Sequence, residues 1–201
     1  KDLHYAKVHK IINLNETSID LKDLPKDCVI KSNNGWNDII IIKNNKIEKM
    51  IMRGKKLSND VNNYNTWRQK VIIPQKGKYE DHYRYMKPVI FVEEYLGDKP
   101  DDYKFFCFNG KTKILQVDKD RFTNHTRNLY DSNFNLLPYN FGNYKNCKFE
   151  KPKNFDKMVQ ISNIISKKFE FSRIDLYDIE GKIYFGEITF TPADCTKIFK
   201  P

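Results

Sequence analysis

Apolar residues along the chain fall into short runs of strand length, separated by polar stretches rich in Asn, Lys and Gly. Residues 28–31 and 39–43 are predicted to pair as a β-hairpin, across a loop from Ser32 to Asp38 that is too long for a two-residue turn. Leu57, Val61, Tyr64, Trp67 and Arg68 stand at helical spacing, with Ser58 or Asn59 as a cap. The stretch PVIFVEEYLGDKP reads as a buried strand ending in a turn. DYKFFCFNGKTKILQVDKD reads as a hairpin turning at Asn109-Gly110. Residues 121–150 look irregular. Phe155, Met158, Ile161, Ile164, Ile165 and Phe169 form one apolar helical face, and residues 171–192 a final hairpin turning near Glu180-Gly181. This order predicts an α+β protein with antiparallel sheets, arranged in two lobes.

Composition narrows the classes. With 39% hydrophobic and 14% aromatic residues among 201, a core can form and wholesale disorder is excluded. No run approaches the roughly 18 apolar residues that cross a membrane. The first ten residues, KDLHYAKVHK, lack the apolar segment of a secretory signal, which fits a cytoplasmic protein or a trimmed chain. Cys28, Cys107, Cys147 and Cys195 lie far apart, in no metal-binding spacing, and read as reduced thiols. The net charge of +10 suits phosphate, nucleic acid, acidic glycan or an anionic membrane. The lysines are scattered among abundant Asn and Ile, however, as an AT-rich genome would encode them, so only lysines within motifs carry weight.

The last hairpin holds charges where a strand should bury carbon. Alternation places Arg173, Asp175 and Tyr177 on one face of its first strand, and Phe185, Glu187 and Thr189 on one face of its second. Asp175 then falls across from Glu187. Facing carboxylates are unfavourable without a cation between them, and Mg2+ would serve, with phosphate as a further ligand. Arg173 could fork onto a phosphate or a carboxylate. A solvated face with an Arg–Asp salt bridge is the alternative, and the hairpin alone leaves both open. Elsewhere, Lys31 ends a strand before a loop containing Gly35. Glu93 and Glu94 are neighbours on a strand, so only one faces a site. Lys104 lies inside an aromatic strand, where an unpaired ammonium would be costly. Arg121, His125 and Arg127 suit anionic groups, and His125 has no companion that would make it a metal ligand.

Taken in order, the Lys31 loop, VEEYLGD, DYKFFCFNGK, Arg173-x-Asp175 and GKIYFGEITFTP resemble the ATP-grasp superfamily. Within it the chain resembles the TupA-like branch, associated with teichuronopeptide and capsular or cell-surface polysaccharide biosynthesis. The resemblance runs from about Leu24 to Pro201. It implies an ATP-grasp fold, two α+β lobes with antiparallel sheets enclosing a nucleotide cleft. Residues 1–27 would be an abbreviated N-terminal segment, 28–96 the first lobe and 97–201 the second. It implies that Lys31, with Asn33, Asn34 and Gly35, holds ATP phosphates, and that Glu93, Glu94, Tyr95 and Leu96 form the hinge that meets the nucleotide. Lys104 would reach the terminal phosphates. Asp175, Glu187 and Thr189 would hold Mg2+, with Thr189 standing where many ATP-grasp enzymes have Asn. Arg173, Lys104 and Arg121 are the expected catalytic residues. Ala193-Asp194-Cys195 departs from the branch, which carries a Gly/Ser-rich run there. The short N-terminal segment leaves the chain trimmed, or its substrate side completed by another domain.

The expected activity is that of a cytoplasmic, ATP-dependent carboxylate–amine ligase working through an acyl phosphate. Its partners would be a small-molecule or glycan-linked carboxylate, such as a uronic acid or acidic residue, an amine acceptor, and other capsule-biosynthesis enzymes or domains. Nucleic acid is not an expected partner. Two rivals stand beside this reading: a non-catalytic basic module that binds nucleic acid or acidic glycan, and a degenerate ATP-grasp fold that binds nucleotide without turnover.

Overall fold

Tight turns with both residues in the left-handed region join successive strands at Asn44-Asn45, Arg53-Gly54, Asn109-Gly110 and Glu180-Gly181. Such turns match the twist of the strands they connect and favour Asn and Gly. The structure, a computed structural model, describes residues 2–76, 79–98, 101–120, 124–147 and 149–200. In chain order the strands are β1 (Leu3–Tyr5), β2 (Val8–Ile12), β3 (Cys28–Ser32), β4 (Ile39–Lys43), β5 (Lys46–Met52) and β6 (Lys55–Leu57). Helix α1 (Tyr64–Val71) precedes β7 (Ile90–Glu94), β8 (Asp102–Phe108), β9 (Lys111–Lys119), β10 (Thr126–Tyr130) and β11 (Asn140–Phe141). Helix α2 (Phe155–Ser166) leads to β12 (Phe171–Ile179), β13 (Lys182–Thr189) and β14 (Phe199–Lys200). Two compact units result: Ala6–Tyr95, and the first five residues together with the chain from Leu96 onward.

In the unit Ala6–Tyr95 an antiparallel sheet runs in the order β2-β7-β3-β4-β5-β6. One face buries Cys28, Ile30, Ile40, Ile42, Met50, Ile90 and Val92 against Tyr64, Trp67 and Val71 of α1. Each large side chain buried there contributes about 1.5–3 kcal/mol. The Trp67 indole N–H donates to the Ile51 carbonyl at 2.8 Å, so helix and sheet are tied by a hydrogen bond as well as by packing. The register places Val29, Lys31, Ile39, Ile41, Phe91 and Glu93 on the other face. The helix begins later than its spacing suggests. Leu57 belongs to β6, which pairs with β5 behind the Arg53-Gly54 turn, and Asp60, not Ser58 or Asn59, caps the short turn leading into α1. Turn chemistry and a sheet edge able to bury Leu57 override the helical pattern there.

In the other unit the order is β1-β13-β12-β8-β9-β10, antiparallel except where β1 runs parallel to β13. Helix α2 covers one face, packing Phe155 and Met158 on Phe105, Leu115, Val117, Ile174 and Leu176. Its buried stripe runs through Ser162 and Ser166, while Ile164 is exposed. The expected apolar face is thus rotated, because the 3.6-residue period carried forward from Phe155 and Met158 lands on those serines. Residues 126–130, expected to be irregular, form β10. Their polar side chains find partners inside the fold: Asn128 Nδ2 donates to the Cys147 carbonyl at 2.6 Å, and Arg127 pairs with Asp118.

A β-bulge interrupts the last hairpin. Asp175 pairs with Glu187 but Leu176 pairs with Phe185, which leaves Gly186 as the extra residue. Phe185 therefore turns to the α2 side and packs in the core, and does not share a face with Glu187 as simple alternation suggests. A Cβ at Gly186 would lie 3.0 Å from both the Asp175 carbonyl oxygen and Tyr177 Cε2. Gly186→Ala is expected to cost about 1–3 kcal/mol by overpacking, read as a lower midpoint in urea denaturation. An unchanged midpoint would refute a packing requirement at this glycine.

Candidate active site

The face of the second sheet opposite α2 carries a ladder of polar side chains. Directly paired residues point to the same side, so register alone aligns Glu187, Asp175, Lys104 and Gln116 across β13, β12, β8 and β9. A neighbouring row holds Tyr177, Asp102, Asp118 and Arg127, and the row on the other flank holds Thr189, Arg173 and Phe106. Phe106 seals that end, packing against Phe141 and Phe199 with ring centres 6.0 and 5.8 Å away.

Arg173, Asp175 and Glu187 converge in the structure. Arg173 Nε donates to Asp175 Oδ1 at 2.7 Å, and its Nη2 to Asp175 Oδ2 at 2.8 Å. The same Nη2 meets Glu187 Oε1 and Thr189 Oγ1, each at 2.9 Å, and the Thr189 hydroxyl donates to Glu187 Oε1 at 3.0 Å. Lys104 is buried but not unpaired: its Nζ contacts Asp175 Oδ2 at 2.5 Å and Asp102 Oδ2 at 2.7 Å. Asp175 is buried, whereas the Glu187 side chain is 62% exposed. Partial loss of hydration pushes the Glu187 carboxyl up, but the Lys104 and Arg173 charges and the Thr189 hydrogen bond outweigh it and hold it below the usual carboxylate range. Burial opposes the charge on Arg173, and Asp175 more than reverses the effect, so the guanidinium is raised still further.

Asp118 anchors a second cluster on the same face. It accepts from Gln116 Nε2 at 2.6 Å, from Arg127 Nε at 2.5 Å and from Arg127 Nη2 at 3.2 Å, and His125 Nε2 lies 2.9 Å away. Arg127 also donates to the Phe141 carbonyl at 2.6 Å and lies 4.0 Å from the centre of the Tyr144 ring. Asp102, Gln116 and Asp118 escaped sequence reasoning. Alternation in DYKFFCF and KTKILQVDK would have found them, since it sets Asp102 with Lys104, and Gln116 with Asp118.

In the unit Ala6–Tyr95, Lys31 and Glu93 form an ion pair on the sheet face away from α1. Glu94 points elsewhere, accepting from the Lys7 backbone N–H at 3.2 Å. Asn33 is stitched to neighbouring backbone: its Nδ2 donates to the Lys87 carbonyl at 3.0 Å and its Oδ1 accepts from Val89 N–H at 2.8 Å. Asn34 is buried with neither side-chain amide atom hydrogen-bonded, and Gly35 lies so close to Gln75 that a Cβ would sit 2.9 Å from its Cγ. Lys43 Nζ lies 5.2 Å from the centre of the Tyr95 ring. Tyr95 ends one compact unit and Leu96 opens the other. Arg121 lies outside the described residues.

Asp175 Oδ2, Glu187 Oε1 and Thr189 Oγ1 all lie 2.8–2.9 Å from one cationic nitrogen. These hard oxygen donors are of the kind that Mg2+ takes, and here they gather on the positive charge of Arg173. Among the described residues no three His, Cys, Asp or Glu side chains gather as an all-protein cage. A metal here would therefore take phosphate or water to complete its shell.

A family model, TupA-like ATPgrasp, matches residues 7–201. The chain belongs to this family. No curated protein matches this TupA-like ATP-grasp chain in sequence. Among solved structures it is similar to D-alanine–D-alanine ligase from Bacillus anthracis complexed with ATP, at 14% identity and a TM-score of 0.44, covering 93% of this chain and 48% of that one. It is also similar to the ATP-grasp ligase PsnB complexed with minimal precursor, at 11% identity, TM-score 0.43, and 93% and 47% coverage. The macrocyclase MdnC bound with precursor peptide MdnA, from Microcystis aeruginosa MRC, gives 9%, 0.40, 92% and 47%. The chain spans about half the length of these proteins.

With its antiparallel sheets and few helices, the TupA-like chain has the α+β make-up of the ATP-grasp fold. After Thr189, its Ala193, Asp194 and Cys195 all adopt left-handed backbone angles, with φ of 54°, 55° and 52°. Glycine adopts that conformation freely and other residues do not. At these three positions, where the resemblance leads one to expect a Gly/Ser-rich run, the backbone adopts a conformation suited to glycine.

Burial pushes the Asp118 carboxyl up, and the Arg127 contacts, the Lys104 charge and the His125 hydrogen bond more than compensate, leaving it below the usual carboxylate range. The unfolded chain therefore binds the proton more tightly than the folded one. The resulting stability is complete above the unfolded value of about 4 and is lost as pH falls through the depressed folded value. Asp118→Asn is expected to lower the unfolding midpoint at pH 7 and to flatten its decline below about pH 4. An acid limb as steep as that of the parent chain would contradict this assignment.

Proposed function

We propose that this chain carries an ATP-dependent carboxylate–amine ligase activity. The observation that carries the reading is the convergence of Asp175, Glu187 and Thr189 on a single cation, flanked by Lys104, in a chain of the TupA-like ATP-grasp family. A substrate carboxylate oxygen would attack the γ-phosphorus of ATP, forming an acyl phosphate as ADP leaves. An amine would then add to the acyl carbon, lose a proton and expel phosphate, leaving an amide. Such chemistry asks the protein for position and charge, not for a side-chain nucleophile.

Asp175, Glu187 and Thr189 would hold Mg2+, which supplies charge neutralisation to the phosphate oxygens. Lys31, with the Asn33-Asn34-Gly35 backbone, would hold the inner phosphates, and Lys104 the terminal ones. Arg173 would stabilise the charge that develops in transfer, and Arg121 would assist at the same anion. Glu93 and the backbone of Glu94, Tyr95 and Leu96 would meet the adenine and ribose. The carboxylate would belong to a uronic acid or an acidic residue in capsular or cell-surface polysaccharide biosynthesis, in the cytoplasm, alongside other enzymes or domains of that process.

Phosphate release against a panel of uronic acids, acidic amino acids and amines tests the proposal. Turnover is expected only with ATP, a divalent metal and both substrates together. Glu187→Gln is expected to lower it by about 10²–10³-fold, the usual effect of removing one preorganised electrostatic partner. The same variant should lose the thermal stabilisation conferred by Mg2+ and ATP. Stabilisation without phosphate release across the panel would favour a nucleotide-binding fold without turnover, and steeply salt-dependent polynucleotide binding a basic module.

A further inference from the structure

The three oxygens assigned to the metal are held by the enzyme's own arginine. Arg173 Nη2 carries two hydrogens yet meets Asp175 Oδ2, Glu187 Oε1 and Thr189 Oγ1 at 2.8, 2.9 and 2.9 Å. With two hydrogens for three acceptors at least one hydrogen is shared, so the nitrogen is surrounded by oxygens as a bound cation would be. The Nε–H···Oδ1 contact at 2.7 Å and the Nη2–H···Oδ2 contact at 2.8 Å grip the Asp175 carboxylate side-on and fix the guanidinium.

Charges of both signs gather around this nitrogen: Asp102, Asp175 and Glu187 face Arg173 and Lys104. Lys104 holds Asp175 together with Asp102, and its charge also acts on Glu187. Removing the guanidinium would take from Glu187 and Thr189 the cation that hydrogen-bonds to them, leaving Lys104 to offset two like charges, Asp175 and Glu187, that face each other across paired strands.

We infer that Arg173 is a surrogate cation: it occupies the metal's place between nucleotides, and the metal's arrival swings its Nη2 out toward the transferring phosphoryl group. This rests on the ligase reading above and adds a coupling to it. The arginine becomes available to the reaction only once the metal is seated, so metal binding and arming of the site are one event. The same exchange keeps free divalent ions out, because a metal arriving without nucleotide must displace a guanidinium with no phosphate to receive it. Arg173 thereby acts as a positioning residue before it touches substrate.

Mn2+ binding to the whole chain, followed by electron paramagnetic resonance without nucleotide, tests the coupling. Arg173→Met supplies no replacement ligand and should bind Mn2+ about tenfold or more tightly than the parent, since a unit positive charge is lost at contact distance. Equal or weaker binding by a folded variant would overturn the inference while leaving the ligase reading intact, provided the parent binds Mn2+ in the presence of ATP. A parent chain that binds no Mn2+ even with ATP would overturn both. A measurement on the parent removes any dependence on the variant's folding. The Arg173 Nε–H resonance should shift when Mg2+ and a non-hydrolysable ATP analogue are added together, and a resonance that stays in place would also overturn the inference.

Discussion

Asp175 stands between two cations, with Arg173 gripping both of its carboxylate oxygens and Lys104 holding one of them together with Asp102. Charges this deeply buried are tolerated only when every partner is present, because desolvation of a lone ion costs several kcal/mol. The array therefore constrains the strands that bear it. A one-residue slip of β12 against β8 would turn Asp175 into the α2 core and Leu176 onto the polar face. Register and charge pairing enforce each other.

The two faces of that sheet divide the work. Phe105, Leu115, Val117, Ile174 and Leu176 bury carbon under α2 and provide a stiff platform. Lys104, Asp118 and Asp175 alternate with them along the same strands, so their backbone positions are fixed by packing on the opposite side. The bulge at Gly186 lets both requirements hold in β13: it returns Phe185 to the core while keeping Glu187 across from Asp175. The exposed position of Glu187 gives an incoming ligand access to an otherwise buried set.

Much of this was legible in the sequence. The Asn109-Gly110 and Glu180-Gly181 turns announced their hairpins, and alternation placed Arg173, Asp175 and Glu187 on one surface before any coordinates. Less legible was what depends on partners distant in sequence. Leu57 reads as helical until β5 offers it a sheet edge, and Thr126 to Tyr130 read as irregular because their polar side chains are satisfied by Asp118 and Cys147. Ser162 and Ser166 look like surface residues and are core. Asp102 and Asp118 are acids inside a buried sheet, and contacts with Lys104, Gln116, Arg127 and His125 help to explain how they are tolerated there.

The central claim is that one position on this sheet is built for a cation, held by Arg173 until a divalent metal takes it. Crystals grown with Mn2+ and a non-hydrolysable ATP analogue would test it most directly, through the anomalous scattering of manganese. The account predicts a peak coordinated by Asp175, Glu187 and Thr189, with Arg173 Nη2 displaced from them toward the terminal phosphate. A nucleotide-bound structure with the peak elsewhere, and Arg173 still bridging the three oxygens, would contradict it.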